Sequence, residues 1–175
     1  RRGAPAREVP APEHAPGASA TSAIRLILAT PALRWTAVIT VTLALGFYAQ
    51  FESGLPAYAI MVLRVPARTI GTASAVNCLV IVVLQMAVVK WTAKHSAPSL
   101  LVAVGSIWVL SWLLLAAASV VPELAGTMFV VVFGVFAVGE TMYAPVLNPL
   151  TAGLAPSGMV GTTLGIFAAL QTGVS

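Results

Sequence analysis

Four long apolar stretches most constrain how this chain of 175 residues can fold. Each approaches or exceeds the ~20 residues that a helix needs to cross a hydrocarbon layer about 30 Å thick. Hydrophobic residues make up 59% of the sequence and charged residues only 8%, whereas soluble domains carry roughly a quarter charged residues. A soluble fold of this length could not bury so much apolar surface. The sequence therefore predicts an all-α polytopic membrane protein.

The apolar stretches and the segments between them give the expected organisation. A basic, Ala/Pro-rich segment predicts a flexible linker over residues 1–22, and the apolar patch between Arg25 and Arg34 predicts an interfacial lead-in helix over 23–34. Residues 35–175 are expected to form a transmembrane bundle. Its spans are expected at about 35–58, 70–89, 99–119, 126–147 and 160–175. The last is short for a span and reads as truncated, so the chain is interpreted as a fragment of a larger protein.

Lysine and arginine are distributed unevenly between the two sides of these spans. One side holds Arg1, Arg2, Arg7, Arg25, Arg34, Lys90 and Lys94, and the other holds Arg64 and Arg68. Because cytoplasmic loops carry the excess of basic residues, the linker and the 90–98 turn are predicted to be cytoplasmic in a multi-pass protein of the plasma (inner) membrane. The basic residues form no stripe interleaved with aromatics, so the lipid bilayer is the expected partner and nucleic acid is not.

One glutamate, Glu140, lies deep inside the apolar stretch FVVVFGVFAVGETMYAP. An ionised carboxylate near the middle of a bilayer costs about 3 kcal/mol or more, so Glu140 is expected to face a water-filled cavity or a cation, or to stay protonated. Its function is then either a proton or substrate-cation site, or a structural pair that locks a cytoplasmic gate. Tyr143 lies three residues further on the same helix face and is a candidate for the same cavity.

The stretch GFYAQFESGLPAY in the first span is the second unusual feature. Tyr48 and Glu52 are four residues apart on one face, and Gly54 and Pro56 are expected to loosen the helix, as in the discontinuous helices that line transporter sites. Glu52 is a second candidate for proton coupling, although a carboxylate near the outer interface can simply be hydrated. Tyr48 and Gln50, nearer the middle of the membrane, are candidate cavity residues.

Polar and small residues mark faces of two further helices. Ser74, Asn77 and Gln85 share one broad face of the second span, which either substrate contact or interhelical hydrogen bonding would explain. A ridge of small residues that is predicted to pack against another helix recurs every four positions in the last segment: Gly161, Gly165, Ala169 and Gly173.

Several residue patterns that enzymes need are missing from the sequence. It contains no aspartate, no phosphate loop of the Walker type and one cysteine, and neither histidine has a nucleophilic elbow to partner it. No enzymatic activity, metal or cofactor is therefore expected.

The order of these parts resembles the second half of a major facilitator superfamily transporter, in particular the bacterial drug-efflux-like members. The resemblance rests on FYAQFESGLPAY, GTASAVNCLVIVVLQ and GETMYAPVLNPLTAGLAP in sequence, with a basic turn, KWTAKHSAP, after the second of them. The matching positions are Gly139, Glu140 and Pro145 for the family's tenth helix, and Tyr48, Gln50 and Pro56 for its seventh. The basic turn departs from the family pattern, because it lacks the Asp-Arg core. On this resemblance the chain comprises the central linker and helices seven to eleven of twelve.

The resemblance implies a fold of two six-helix bundles that alternately open a midplane site to each side, of which this chain forms a partial second bundle. It implies proton-coupled efflux of small organic molecules, with Glu140 or Glu52 as the proton carrier and Tyr48, Gln50 and Asn77 lining the cavity. The implied partners are protons, a small-molecule substrate and the missing N-terminal half. The alternatives are a non-transporting scaffold or sensor, an inactive truncated product, or the permease of an ATP-driven importer, for which the KWTAKHSAP turn is too short.

Overall fold

The computed structural model of the protein describes the backbone of residues 20–174 and the side chains of residues 21–173, except those of Tyr48 and Glu52. Regular structure in this part of the chain is helical, which confirms the all-α fold class. The α-helices are α1 (Ala20–Ala29), α2 (Pro31–Leu43), α3 (Leu55–Met61), α4 (Ala67–Thr92), α5 (Ala97–Ala118), α6 (Ala125–Leu154) and α7 (Val160–Val174). Of the linker predicted for 1–22, residues 1–19 lie outside the described part.

Three helical segments of the described chain are each long and apolar enough to cross a bilayer: Ala67–Thr92, Ala97–Ala118 and Pro122–Leu154. A fourth candidate is the pair Thr21–Ala29 and Pro31–Phe47, whose two helices meet at 101°. α7 has 15 residues, which at ~1.5 Å per residue is shorter than the ~30 Å hydrocarbon layer. The helices α4, α5 and α6 contain or closely match the predicted second, third and fourth spans.

The chain turns sharply between α1 and α2. Thr30 has an extended backbone (φ −93°, ψ 112°), because the residue before a proline avoids the helical conformation, and Pro31 starts α2, where its missing N–H is not needed. α1 therefore ends at Ala29 and not at Arg34, where the lead-in helix is expected to end, and Arg34 belongs to α2.

The helix of the first span is not interrupted at Gly54 and Pro56. It instead widens into π-helical turns on the N-terminal side of Pro56. Two π-helical segments, Ala44–Tyr48 and Gln50–Gly54, join α2 to α3, so that residues 31–61 are helical almost throughout. Pro56 cannot donate to the carbonyl four residues earlier, and its ring crowds that carbonyl. A π turn relieves this crowding by lengthening the hydrogen-bond spacing, and such turns occur frequently at functional sites. The discontinuity expected from the sequence is thus a change in helix pitch.

α6 lies at the centre of the bundle. It packs along α4 and α5 and also contacts α2 and α7. Large side chains on the faces toward these helices belong to the two main core clusters: Phe129, Val132, Phe133, Phe136, Met142 and Leu147. Neighbouring helices therefore hold α6 from several sides, which fixes the direction in which Glu140 projects.

α6 ends at Leu154, beyond the predicted end of the fourth span at about residue 147, and it contains two prolines. Pro145 and Pro149 lie inside the helix, and Asn148 does not interrupt it. Each proline removes one helical hydrogen bond, but packing against neighbouring helices can keep such a helix intact in a membrane protein. Val146, between the prolines, is buried in the core cluster and supplies this packing.

The break after α6 falls at the next proline and glycine. Ala155 leaves the helical conformation (ψ 140°), because it precedes Pro156. Gly158 has φ +87°, a conformation that glycine adopts without a steric penalty, and α7 then begins at Val160.

Candidate functional site

A buried amide from α4 contacts Glu140. Nδ2 of Asn77 lies 3.3 Å from Oε2 of Glu140 and 3.5 Å from the carbonyl oxygen of Phe133, so one side chain reaches two points on α6. Asn77 is 7% exposed and Glu140 is half-buried. Ser74 is exposed and Gln85 is half-buried, so Asn77 is the buried member of the polar face that the sequence identifies on this helix.

An amide N–H is a donor that suits both protonation states of a carboxyl group. It can donate to a carboxylate oxygen, and it can also donate to the carbonyl oxygen of the protonated acid. A lysine or arginine would instead favour the carboxylate strongly. The contact between Asn77 and Glu140 can therefore persist while the carboxyl group gains or loses a proton.

Trp108 of α5 approaches α6 directly beside Glu140. Its side chain is fully buried, and its Nε1 donates to the carbonyl oxygen of Phe136 over 3.1 Å. The rings of Trp108 and Phe136 stack with centroids 5.0 Å apart and an angle of 10° between their planes. Gly139 makes this approach possible, because a Cβ at position 139 would lie 2.5 Å from Nε1 of Trp108. The glycine before Glu140 thus has a steric role.

The π-helical segments bring two phenylalanines against the same part of the bundle. The ring centroid of Phe47 lies 4.8 Å from that of Trp108. Phe51 stacks on Phe136 with centroids 4.2 Å apart, and also contacts Phe133. These rings form an apolar wall between the first span and α6, and Asn77 reaches Glu140 from the direction of α4.

Tyr143 belongs to a second polar cluster, which joins three helices. Nε2 of Gln171 on α7 donates to the Tyr143 hydroxyl over 2.8 Å, and that hydroxyl is also hydrogen-bonded with Thr40 on α2. The Thr40 hydroxyl donates in turn to the carbonyl oxygen of Thr36 over 2.8 Å. Tyr143 is only 2% exposed. Gln171 and Thr40 are not among the residues predicted from the sequence, because one polar residue in an apolar helix does not reveal its partner.

Comparison with models of protein families assigns the chain to a family. The family model described as the Major Facilitator Superfamily matches residues 1–175. The chain belongs to the major facilitator superfamily. Comparison with curated proteins and with solved structures returns no match. Superfamily members are membrane transporters, so the resemblance noted in the sequence is confirmed at the level of the superfamily.

The other residues that the sequence assigns to the site fall into two groups. Some lie away from the contact between Asn77 and Glu140, and the side chains of others are not described by the structure. The side chains of Tyr48 and Glu52 are outside the described part, and their roles stay predictions. Gln50 is exposed and lines a cavity of about 280 Å³ with Tyr58 and Trp112, between the first span and α5. Glu140 and Asn77 do not line this cavity. Among the described residues, no group of three or more His, Cys, Asp or Glu side chains could hold a metal ion.

The small-residue ridge of α7 faces away from the described bundle. A Cβ added at Gly161, Gly165 or Gly173 would meet no neighbouring helix within 4 Å, and Ala169 is exposed. α7 packs instead through a different face, on which Phe167 is buried. The predicted packing ridge therefore has no partner helix in the described part of the chain, and its role stays a prediction.

Removal of the Tyr143 hydroxyl is expected to loosen the packing of α7. In the Tyr143→Phe variant, Gln171 and Thr40 lose their shared partner, and the protein should be less stable by about 1 kcal/mol, in the range of interhelical hydrogen bonds in membranes. Denaturant titration in detergent measures this difference. Tyr58→Phe is the matched control, because no described residue hydrogen-bonds the Tyr58 hydroxyl. Equal stability of the two variants would contradict the assigned cluster.

Proposed function

We propose that the protein is a proton-coupled secondary transporter that exports small organic molecules by alternating access. The observation that carries this proposal is the contact between Asn77 and Glu140, which holds a carboxyl group inside an apolar helix through a donor compatible with both protonation states. Intramembrane carboxyl groups that exchange protons are a recurrent device of pumps and transporters. Glu140 is the proposed proton carrier, and Glu52 is the second candidate.

The remaining parts of the proposal rest on the sequence. Export, and the contribution of an N-terminal half with six further helices, are proposed from the resemblance to drug-efflux-like members. Asn77, Gln50, Tyr48 and Tyr143 are the cavity residues proposed from the sequence. In the described structure Gln50 lines a cavity that Asn77 does not line, and Tyr143 is buried in the separate polar cluster with α2 and α7. The excess of Lys and Arg supports a cytoplasmic location for the linker and the 90–98 turn in the plasma (inner) membrane.

The direct test is transport by the full-length protein in sealed, inside-out vesicles. Fluorescent organic cations such as ethidium serve as probes, and a pH gradient, acid inside, is imposed without a membrane potential. The proposal predicts dye accumulation that a protonophore abolishes. A protein that moves none of a broad dye panel, or moves dye equally with and without the gradient, contradicts the proposal and favours a non-transporting scaffold or sensor.

Asn77 is expected to act as a positioning residue for Glu140. Asn77→Leu keeps the branched shape of the side chain but removes the amide that ties the carboxyl group to α4. The rate of gradient-driven transport should fall by roughly 10-fold, which corresponds to ~1.4 kcal/mol and is near the lower end of the ~1.5 to 3 kcal/mol of a hydrogen bond to a charged group, and its pH profile should change shape. Ser74→Ala, on the exposed part of the same helix, is the control and should leave both unchanged. An Asn77→Leu variant with the normal rate and pH profile would show that the amide plays no part in coupling.

A further inference from the structure

A cavity with two carboxamide side chains lies between α6 and α7, beyond Tyr143 along α6. Its volume is about 230 Å³. Its walls come from these two neighbouring helices, and the lining residues are Asn148, Leu164, Phe167, Ala168 and Gln171. None of these residues is charged. The cavity therefore combines apolar walls with two neutral groups that can each donate and accept hydrogen bonds.

The two carboxamides have hydrogen-bonding capacity that the described part of the chain does not use. Gln171 donates through Nε2 to the Tyr143 hydroxyl, and its Oε1 accepts from no described residue. The side chain of Asn148 is exposed and makes no hydrogen bond with any described residue. Asn77 differs, because its amide contacts two points on α6. An amide in an apolar helix needs a polar partner, so a lipid-facing position does not suit these two side chains.

Two buried hydroxyl groups continue the polar character of this interface toward the connection between α6 and α7. Thr151 follows Asn148 by three residues on α6, and Thr163 directly precedes Leu164 on α7. They are 1% and 0% exposed, and neither Oγ1 has a hydrogen-bond partner in the described part of the chain. Buried hydroxyls are normally hydrogen-bonded, often to water. Unmet hydrogen bonds on both helices are expected of an interface that admits water or a polar solute.

The chemistry of the walls indicates what kind of group fits the cavity. Phe167, which is 3% exposed, supplies a rigid aromatic surface on the same helix as Gln171. Apolar and aromatic walls with a few polar groups are typical of sites for small organic molecules. A charged group would lose its hydration without gaining an opposite charge, whereas a neutral amide or carbonyl group can bond with both carboxamides.

We infer that this cavity binds a neutral hydrogen-bonding group of the transported molecule, such as a carboxamide, and that Asn148 and Gln171 select it. The inference rests on the proposed transport function, because it identifies the ligand as the substrate. It assigns no proton to these residues. Because Gln171 also bonds with Tyr143, a ligand at its Oε1 is connected to the polar cluster that joins α2, α6 and α7.

Equilibrium binding of 1-naphthamide to the full-length protein in detergent, without a pH gradient, tests the inference. 1-Isopropylnaphthalene has nearly the same shape without a hydrogen-bonding group and is the comparison probe. Asn148→Leu, at an exposed position, should weaken binding of 1-naphthamide about fivefold, the effect of one hydrogen bond between neutral groups, and leave that of 1-isopropylnaphthalene unchanged. Asn148→Gln keeps the carboxamide and should keep most of the affinity. Thr172→Val, on α7 but outside the cavity, is the matched control.

The outcomes separate this inference from the proposed transport function. No binding of 1-naphthamide to the wild type, or equal binding by the wild type and Asn148→Leu, overturns the inference even if dye transport is normal. Binding that depends on Asn148 in a protein that moves no dye contradicts the transport function and leaves the binding site in place.

Chemical access shows whether a ligand or another part of the protein occupies the cavity. Ala168 is exposed and lines the cavity, and Ala168→Cys gives one thiol there when the single cysteine, Cys78, is replaced by serine. In the full-length protein this thiol should react with a membrane-impermeant methanethiosulfonate reagent, and 1-naphthamide should slow the reaction. Ala169→Cys, at the next position and outside the cavity, is the control, and 1-naphthamide should leave its reaction rate unchanged. A thiol at position 168 that reacts from neither side of the membrane would mean that another helix fills the cavity, and this result overturns the inference.

Discussion

Replacement of Glu140 by glutamine should abolish proton-driven transport. Glutamine has nearly the same shape, and its carbonyl oxygen can still accept the hydrogen bond from Asn77. It cannot bind or release a proton near neutral pH. Gradient-driven dye transport should therefore fall by roughly 100-fold or more, which is the range seen when a positioned proton-transfer group is removed. Exchange of dye for dye, which requires no net proton movement, should continue.

This variant also separates the two interpretations of Glu140. If the glutamate only pairs with α4 to lock a gate, glutamine preserves that pair and transport keeps its normal pH profile. If the carboxyl group carries the proton, the pH dependence disappears although the helices stay paired. Glu123→Gln, an exposed glutamate in the 3-10 turn before α6, is the matched control and should transport normally. A normal pH profile in a well-expressed Glu140→Gln variant would remove Glu140 as the carrier.

Addition of one methyl group at Gly139 should destabilise the bundle severely. The Cβ of Gly139→Ala would lie 2.5 Å from Nε1 and 2.8 Å from Cδ1 of Trp108, a rigid and fully buried side chain. Trp108 must then withdraw, and it loses both its hydrogen bond to the Phe136 carbonyl and its stacking on the Phe136 ring. Overpacking and the lost hydrogen bond together are expected to cost about 3 kcal/mol or more. Thermal unfolding in detergent and the yield of folded protein measure this effect.

A glycine on the same helix provides the control for this prediction. A Cβ at Gly134 would meet Cγ1 of Val76 at 3.5 Å, an ordinary contact, so Gly134→Ala should fold normally. A smaller residue at position 108 should also rescue part of the loss, because the clash and the withdrawal of Trp108 are coupled. Normal stability of Gly139→Ala in the presence of Trp108 would contradict the close approach of α5 to α6.

Hydropathy predicts much of this fold, because the length of an apolar helix is set by the thickness of the bilayer. The bounds of α4 and α5, Ala67–Thr92 and Ala97–Ala118, accordingly differ by no more than three residues from the spans read from the sequence. Helix-breaking residues such as proline predict the ends of helices less well than hydropathy predicts the helices themselves. Pro149 lies inside α6, because burial of neighbouring side chains outweighs the loss of one hydrogen bond, whereas Pro156 lies two residues after Leu154, where α6 ends.

The candidate site is only partly predictable, because a sequence shows which residues share a helix face but not what faces them. Glu140 and Asn77 can each be recognised as polar residues in apolar helices. Their contact depends on the register of α4 against α6, which only the structure supplies. The role of Gly139 is similar: its spacing in the sequence does not reveal that Trp108, on another helix, needs the space of a missing side chain.

Proton coupling through Glu140 requires that this residue face an aqueous path and not the lipid. A cysteine at position 140, with Cys78 replaced by serine, can be tested with a membrane-impermeant methanethiosulfonate reagent in the full-length protein. We predict that it reacts, and that a transported dye slows the reaction. Val82→Cys, at a position on α4 that is 74% exposed on the bundle surface, is the control and should resist this reagent. If position 140 failed to react with this reagent added from either side of the membrane, as position 82 is expected to do, Glu140 would face hydrocarbon and the proposed proton pathway would be wrong.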